Sequence, residues 1–326
     1  MKTTRPLIVK TTGGITAQLL GVMNALYVCK RTGRRFQIHH FSTTTGTFWP
    51  FGIEEILSPT EIVVSQAFMG GVDGDLATGQ FISDFPLRKR GWNRYKFLYL
   101  LQRLGLDVPL RRLRSEVVIR GEKRRLNLVN QSTRSMSGNF VPLVDAGVFK
   151  ELSLRFQQAN LPNPFSDEPD SMKQSILIHY RLGDMRKMPS RVSGIGGHGV
   201  VDPMVFREII KRGGQEWARY EIGVVSDEPA LAVELLRDVG IDCVNFSTGK
   251  VWHDLETISR AKVFIGSMSQ FSLVGAATVV ARGNTAILPS SVYGQGDLRE
   301  LLDIPGLTFG DFRYLPENHW LFRLTN

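Results

Sequence analysis

The chain has 326 residues, of which 42% are hydrophobic and 22% charged, and its formal net charge at pH 7 is +9. This composition is typical of a globular protein and excludes an intrinsically disordered chain. No apolar run approaches the roughly 20 residues that span a bilayer, and the apolar segment at the N-terminus is too short for a secretory signal, so we expect a cytoplasmic protein. Because one hydrophobic core seldom serves more than about 250–300 residues, two domains are predicted.

The first half of the chain predicts an α/β domain over residues 1–165. Its clearest predicted elements are strand 7–11, helix 15–31 and strand 35–41. Gly33 is well placed to end the helix, and strand–helix–strand order is typical of parallel sheets. Gly13 and Gly14, directly after the first strand, would let the backbone approach a cleft, and Gln18 could hydrogen-bond a ligand there.

Segment 88–125 carries most of the excess positive charge. It holds thirteen Lys and Arg against three acidic residues, interleaved with aromatic and leucine side chains. Such a basic, helical insertion suits an anionic membrane surface, nucleic acid or an anionic acceptor. A solvated helix whose arginines lay their alkyl stems on apolar neighbours fits the same pattern.

A linker-like stretch, 159–175, separates this half from a second domain over 172–326. The predicted elements of the second domain are strands 176–181, 221–227, 243–246, 262–267 and 285–290, and helices 203–212, 229–240, 254–261 and one from about 272. Repeated strand–helix alternation of this kind predicts a doubly wound parallel sheet.

Polar clusters follow three strands of the second domain. His179, Arg181 and Asp184 follow the first strand, the Ser226–Pro229 segment follows the next, and Ser267–Ser272 follows a later one. Ligands of open α/β sheets bind outside the carboxyl ends of the strands. The three clusters are therefore expected to line one site.

The cluster Ser267–Ser272 predicts an anion site, because a small, hydroxyl-rich turn before a helix presents backbone N–H groups and the positive end of the helix. Arg181 is the residue type best shaped to hold phosphate oxygens in bidentate fashion. Together they would bind a diphosphate and stabilise a nucleoside diphosphate leaving group. The alternatives are an ordinary serine N-cap and a structural pair between Arg181 and Asp184. For Ser226 and Asp227, contact with a nucleotide competes with simple capping of the next helix.

Metal binding is not predicted. Cys29 and Cys243 lie in separate apolar segments without a CxxC pattern, so buried thiols are expected. His39 and His40 have no acidic partner nearby, and the three clusters at the predicted strand ends contain no DxD-type carboxylate pair that would hold a metal ion. No Walker GxxxxGK[ST] motif occurs either, which excludes P-loop chemistry.

Four segments resemble fucosyltransferases related to glycosyltransferase family 11, and the α1,6- and protein O-fucosyltransferases that share their nucleotide-binding half. HYRLGD (179–184) resembles the HxRxGD motif, and VVSDEP (224–229) resembles an SDDP-type segment. DLETISRAKVFIGSMSQFSLVGA (254–276) is similar to a DLYLMS…NSSFSWWGA region, and GGITAQL (13–19) to GGLGNQM. The order and spacing match, over about half of the chain.

The resemblance implies two Rossmann-like domains facing a cleft, the GT-B type, with GDP-fucose on the second domain and inverting, metal-independent transfer that needs no cofactor. Arg181 would contact the diphosphate, Ser269–Ser272 its oxygens, and Asp254 would begin a helix near the nucleotide. The residues assigned to donor binding are His179, Arg181, Ser226, Asp227, Asp254, Ser267, Ser269, Gln270, Phe271 and Ser272. Leu182, Ala17 and the pair Leu273-Val274 depart from the family pattern, so another nucleotide sugar stays open.

The acceptor hydroxyl must lose a proton, and Asp184, His198 and Glu228 are candidates for the base. We assign Arg181, Asp184 and His198 to catalysis, although Asp184 could instead orient Arg181. The expected acceptor is a glycan of a surface polysaccharide or a lipid-linked oligosaccharide, with 88–125 at the inner face of the membrane. Two hypotheses compete with a transferase: a basic nucleic-acid-binding protein, and a nucleotide-binding module without activity.

Overall fold

The computed structural model describes residues 6–12, 14–41, 52–61, 116–118, 135–137, 145–166, 175–187, 199–290, 306–316 and 319–325. The chain divides into two compact units, Met1–Asn139 and Phe140–Asn326. Nearly all of the basic segment 88–125 lies outside the described residues. Among the helices that are described, none is long and apolar enough to cross a membrane.

The first unit contains a parallel four-stranded sheet with the order β2-β1-β4-β3. Its elements are β1 (Leu7–Thr12), α1 (Ile15–Thr32), β2 (Phe36–Phe41), β3 (Glu116–Val118) and β4 (Ser135–Ser137). A short 3₁₀ turn spans Glu54–Ile56. As predicted, Gly33 ends α1, with φ of 63°, a left-handed conformation that glycine adopts without steric cost.

The second unit contains a parallel six-stranded sheet. Its strands are β5 (Ser175–His179), β6 (Glu221–Val225), β7 (Val244–Asn245), β8 (Val263–Gly266), β9 (Thr285–Pro289) and β10 (Leu307–Gly310). Its helices are α2 (Ala146–Gln158), α3 (Gly183–Lys187), α4 (Pro203–Arg212), α5 (Gly214–Trp217), α6 (Pro229–Asp238), α7 (Val251–Ser259) and α8 (Gln270–Ala281). A 3₁₀ helix spans Trp320–Thr325.

The order of this sheet is β10-β9-β8-β5-β6-β7. Counted from β5 as the first strand, it is the order of the Rossmann fold, in which the chain winds outward in both directions from the middle. The direction in which the chain adds strands to the sheet reverses between β5 and β8, which pair in parallel. We call the carboxyl ends of these two strands the reversal point. The predicted α/β class and doubly wound parallel sheet are confirmed.

Alternate residues of the central strands enter two separate cores. Ile176 and Ile178 belong to one buried cluster, which also contains Val224 and Ile265, whereas Leu177 belongs to the other. Every residue of β5 and β8 is buried. Both faces of the sheet are therefore covered, as parallel sheets require, and polar side chains can reach solvent only at the strand ends.

The boundary between the units differs from the predicted one, which fell between residues 165 and 172. Helix α2 groups with the second unit. Its buried face packs through Phe156, whose ring meets the Trp252 ring edge-on at a centroid distance of 5.0 Å. Farther on, Arg282 donates a hydrogen bond from Nη2 to the carbonyl of Ser166 at 2.6 Å. Composition marked the linker-like stretch, but the first contact joins the helix before it to α7, and the second joins residue 166 of the stretch itself to the end of α8.

Candidate functional site

The strand ends at the reversal point form the candidate site. In open α/β sheets this point opens a crevice in which ligands bind. The loops that follow β5 and β8 are joined here: Ser267 donates its backbone N–H to the His179 carbonyl at 3.0 Å, and its Oγ accepts from the Arg181 N–H at 3.1 Å. The structure thus brings the two predicted clusters, 179–181 and 267–272, into direct contact.

The serine turn begins α8. Ser269 is its N-cap, and its Oγ accepts from the Ser272 N–H at 3.0 Å. Gly266 lets the helix start close to the sheet, since a Cβ there would lie 2.8 Å from the Ser272 Cβ and 2.5 Å from Leu288 Cδ2. The predicted N-cap is therefore present, and it stands at the reversal point, where the partial positive charge of the helix start favours an anion.

His179 is buried behind this turn and hydrogen-bonded to it. Its Nδ1 lies 2.6 Å from Ser272 Oγ and 3.4 Å from Ser267 Oγ. Ser269 Oγ donates to Ser272 Oγ at 3.3 Å. The ring nitrogen, the Ser272 hydroxyl and the Ser269 hydroxyl thus form one connected hydrogen-bond chain, in which Nδ1 accepts or donates according to the histidine tautomer.

The histidine is held neutral. Burial, and secondly the positive charge of Arg181, lower the pKa of His179 to about 3 from its ordinary value of 6.5. The positive charge of Arg181 thus acts in the same direction as burial and disfavours protonation of the ring. Phe271 packs on the same ring with centroids 4.7 Å apart. The strand ends therefore bring an arginine, Arg181, and neutral hydrogen-bonding side chains to one edge of the sheet, a combination that suits an anionic ligand.

Asp227, predicted to bind the donor, contacts the loop after β5. Its Oδ1 accepts from the Leu182 N–H at 2.8 Å, and its Oδ2 accepts from the Gly183 N–H at 3.1 Å. The neighbouring Glu228 pairs with Arg186 of α3 at 2.5 Å. These acidic groups thus cap and hold α3, rather than α6, the helix that follows them in sequence.

Two further predicted residues, Ser226 and Asp254, stabilise loops at the same sheet edge. Ser226 Oγ accepts from the Glu228 N–H at 3.1 Å, and its own N–H donates to Ser247 Oγ at 2.8 Å. Asp254, in the first turn of α7, accepts with Oδ1 from both the N–H and the hydroxyl of Thr248, each at 2.7 Å. The helix start predicted at Asp254 lies three residues earlier, at Val251.

Three residues near the candidate site were not predicted from the sequence: Ser247, Thr248 and Arg186. Ser247 and Thr248 follow β7, so the rule that strand ends carry polar groups would have found them. That strand has only two residues, and its end gave no clear signal. Arg186 lies in the short helix α3, which was not predicted.

Several predicted residues can be placed only in part. Gly13, His198 and the side chain of Asp184 lie outside the described atoms. Gly14 is the residue before α1, with an extended backbone and no side-chain cap. Gln18 is buried, and its Oε1 accepts from the Gly52 N–H at 3.0 Å. Gln18 thus fixes the segment after β2 within the first unit.

The departures from the fucosyltransferase pattern are buried apolar residues. Leu182, one of the positions that departs from the pattern, is fully buried in the core of the second unit. Leu273 and Val274, which replace a tryptophan pair, are buried within α8. Position 182 therefore supplies no second guanidinium beside Arg181.

Comparison with family models and with curated protein sequences gives no match. Among solved structures, POFUT1 in complex with GDP is similar at a TM-score of 0.39 and 13% identity, over 95% of this chain and 99% of that one. The E. coli ADP-heptose lps heptosyltransferase II is similar at a TM-score of 0.37 and 13% identity, over 93% of this chain and 90% of that one. A glycosyl transferase family 9 protein from Veillonella parvula DSM 2008 is similar at a TM-score of 0.38 and 10% identity, over 95% of this chain and 87% of that one. These are distant likenesses of backbone course.

Proposed function

We propose that the chain is a glycosyltransferase that moves L-fucose from GDP-fucose to a hydroxyl of a glycan, with inversion at the sugar and without a metal ion. One observation carries the proposal: the Arg181 loop and the Ser267–Ser272 turn meet at the reversal point of a Rossmann-order sheet. A cation and a helix start at this place suit a diphosphate.

The reaction needs stabilisation of negative charge on the leaving group. The acceptor oxygen would bond to the anomeric carbon while the bond from that carbon to the phosphate oxygen breaks, the acceptor proton passes to a base, and GDP leaves. Arg181 and the start of α8 would stabilise the charge that develops on the diphosphate. His179 would be neutral near neutral pH, so the hydrogen bonds behind the turn would not change with protonation there.

The identity of the sugar is supported by the resemblance of HYRLGD and of the three other segments to fucosyltransferases. Asp184 and His198 stay the candidates for the base. Arg181 supplies positive charge of the kind that a divalent metal would supply, so activity is expected to persist in EDTA.

The test is a binding screen by calorimetry and thermal shift with GDP-fucose, GDP, ADP and UDP-N-acetylglucosamine. We expect stabilisation by the guanine nucleotides alone. In Arg181→Ala, GDP binding should fall by about 10- to 100-fold, because a hydrogen bond to a charged group contributes roughly 1.5–3 kcal/mol.

The matched control is Arg260→Ala, which removes an arginine paired with Glu256 on α7 at 2.9 Å and should leave the affinity unchanged. Full GDP affinity in Arg181→Ala would contradict the proposed site. A preference for UDP or ADP would overturn the fucose assignment but not the transferase. Binding of GDP-fucose without transfer or hydrolysis would indicate a nucleotide-binding module without activity.

For the acceptor we propose a surface or lipid-linked glycan, with segment 88–125 contacting anionic lipid. Its charge of thirteen basic against three acidic residues supports this. Sedimentation with vesicles of phosphatidylglycerol and phosphatidylcholine should show binding that weakens with salt. Equal binding to neutral vesicles would contradict it, and steep salt-dependent binding to duplex DNA instead would favour the nucleic-acid hypothesis.

A further inference from the structure

Three consecutive backbone N–H groups after β5 donate hydrogen bonds to side chains that follow the two neighbouring strands. The Arg181 N–H donates to Ser267, beyond β8, and the Leu182 and Gly183 N–H groups donate to Asp227, beyond β6. We call residues 181–183 with these two partners the amide clamp. The Arg181 side chain leaves the backbone between the two points of attachment.

The clamp explains why position 183 is a glycine. A Cβ at Gly183 would lie 2.7 Å from Asp227 Oδ2, closer than real Cβ contacts, and 3.2 Å from its Cγ, so the carboxylate would have to shift. The backbone around Gly183 and the carboxylate of Asp227 are therefore fitted to each other. An alanine at 183 would break the clamp without altering any charged group.

The carboxylate also occupies a place where an anion could bind. Successive N–H groups of a turn form a concave site for anions, and at Leu182 and Gly183 the site is filled by the negative charge of Asp227. The negative charge of Asp227 would repel a diphosphate from these two amides, whereas the charge of Arg181 and the start of α8 would attract it. Asp227 is solvent-exposed, so substituting it does not open a cavity in the core.

We infer that Asp227 is a positioning residue for Arg181: it fixes the 181–183 backbone so that the guanidinium meets the diphosphate, and it does not itself contact the nucleotide. This inference rests on the proposed function. It differs from the direct contact between Asp227 and the nucleotide that the sequence suggested.

The experiment is a double-mutant cycle read by calorimetric titration with GDP. Asp227→Ala and Gly183→Ala should each weaken GDP binding about tenfold in the wild-type background. In the Arg181→Ala background each should change the affinity less than about twofold, because residues that act through one another are not additive. The matched control is Asp145→Ala, which removes an aspartate cap from α2, where Oδ1 accepts from the Val148 N–H at 2.9 Å, and should leave GDP affinity unchanged.

Equal losses for Asp227→Ala in both backgrounds would overturn the inference and make Asp227 a nucleotide ligand. No loss in either variant, while Arg181→Ala still weakens binding, would overturn it as well.

Hydrogen exchange separates failure of the inference from failure of the proposed function. The Leu182 and Gly183 amides should exchange at least about tenfold faster in Asp227→Ala than in wild type, because an amide that loses its acceptor opens to solvent. If the wild-type protein binds no GDP, the proposed function fails. The comparison of amide exchange between wild type and Asp227→Ala then still tests whether the amide clamp exists. Unchanged exchange in Asp227→Ala shows that the clamp does not exist in solution.

Discussion

Acidification should destabilise the protein through His179. Its pKa is about 3 in the folded state against 6.5 for an ordinary histidine. Between these values the unfolded chain binds a proton that the folded chain excludes, so stability rises with pH and is lost as pH falls below 6.5. The slope of the free energy of unfolding against pH approaches about 1.4 kcal/mol per pH unit. The contribution of His179 to this free energy therefore falls by roughly 2 kcal/mol between pH 7 and pH 5.

The assay is urea denaturation at several pH values between 5 and 7.5, for wild type and His179→Asn. Asparagine keeps an acceptor near the position of Nδ1 for the Ser272 hydroxyl but removes the titrating group. The variant loses packing on Phe271, which lowers its free energy of unfolding by the same amount at every pH. Only the way in which the difference between wild type and variant changes with pH therefore reports the titration of His179. We expect wild type to lose about 2 kcal/mol more than the variant over this range. Parallel curves would refute a neutral, buried His179.

Three further predictions concern packing and thiol chemistry. Gly266→Ala should destabilise the protein by about 1–3 kcal/mol, because the added methyl overlaps Ser272 and a facing leucine, and chemical denaturation measures this. Phe156→Ala should cost about 3–5 kcal/mol in the same assay, whereas a loss below 1 kcal/mol would mean that α2 does not pack on α7. Cys29, whose pKa burial raises to about 12, and Cys243, whose pKa burial also raises, should resist thiol reagents at pH 8 until urea is added; rapid labelling of the native protein would contradict their burial.

The second sheet was predictable because its strands are short apolar runs between amphipathic helices. Helix Pro203–Arg212 was predicted with its observed bounds, since Asp202 and Pro203 begin it and basic residues end it. Strand ends were predicted about two residues too late, at Arg181 and Asp227 instead of His179 and Val225. The polar residues in these positions already belong to the loops, which is why they can form a site.

The partners of the polar residues were harder to predict. Sequence identified Asp227 as a strand-end residue, but its hydrogen bonds run to amides 44 and 45 positions away. Such pairings depend on which strands are neighbours, and the strand order is not contained in local periodicity. The same holds for α2, whose place is set by the Phe156–Trp252 contact rather than by its position before the linker-like stretch.

That helix has a practical consequence for anyone who wishes to study the second unit alone. A fragment cut at residue 172 would uncover Trp252 and leave Arg282 without the Ser166 carbonyl. Cutting near residue 140 keeps both contacts, so the longer fragment is the better choice for expression and for nucleotide titrations.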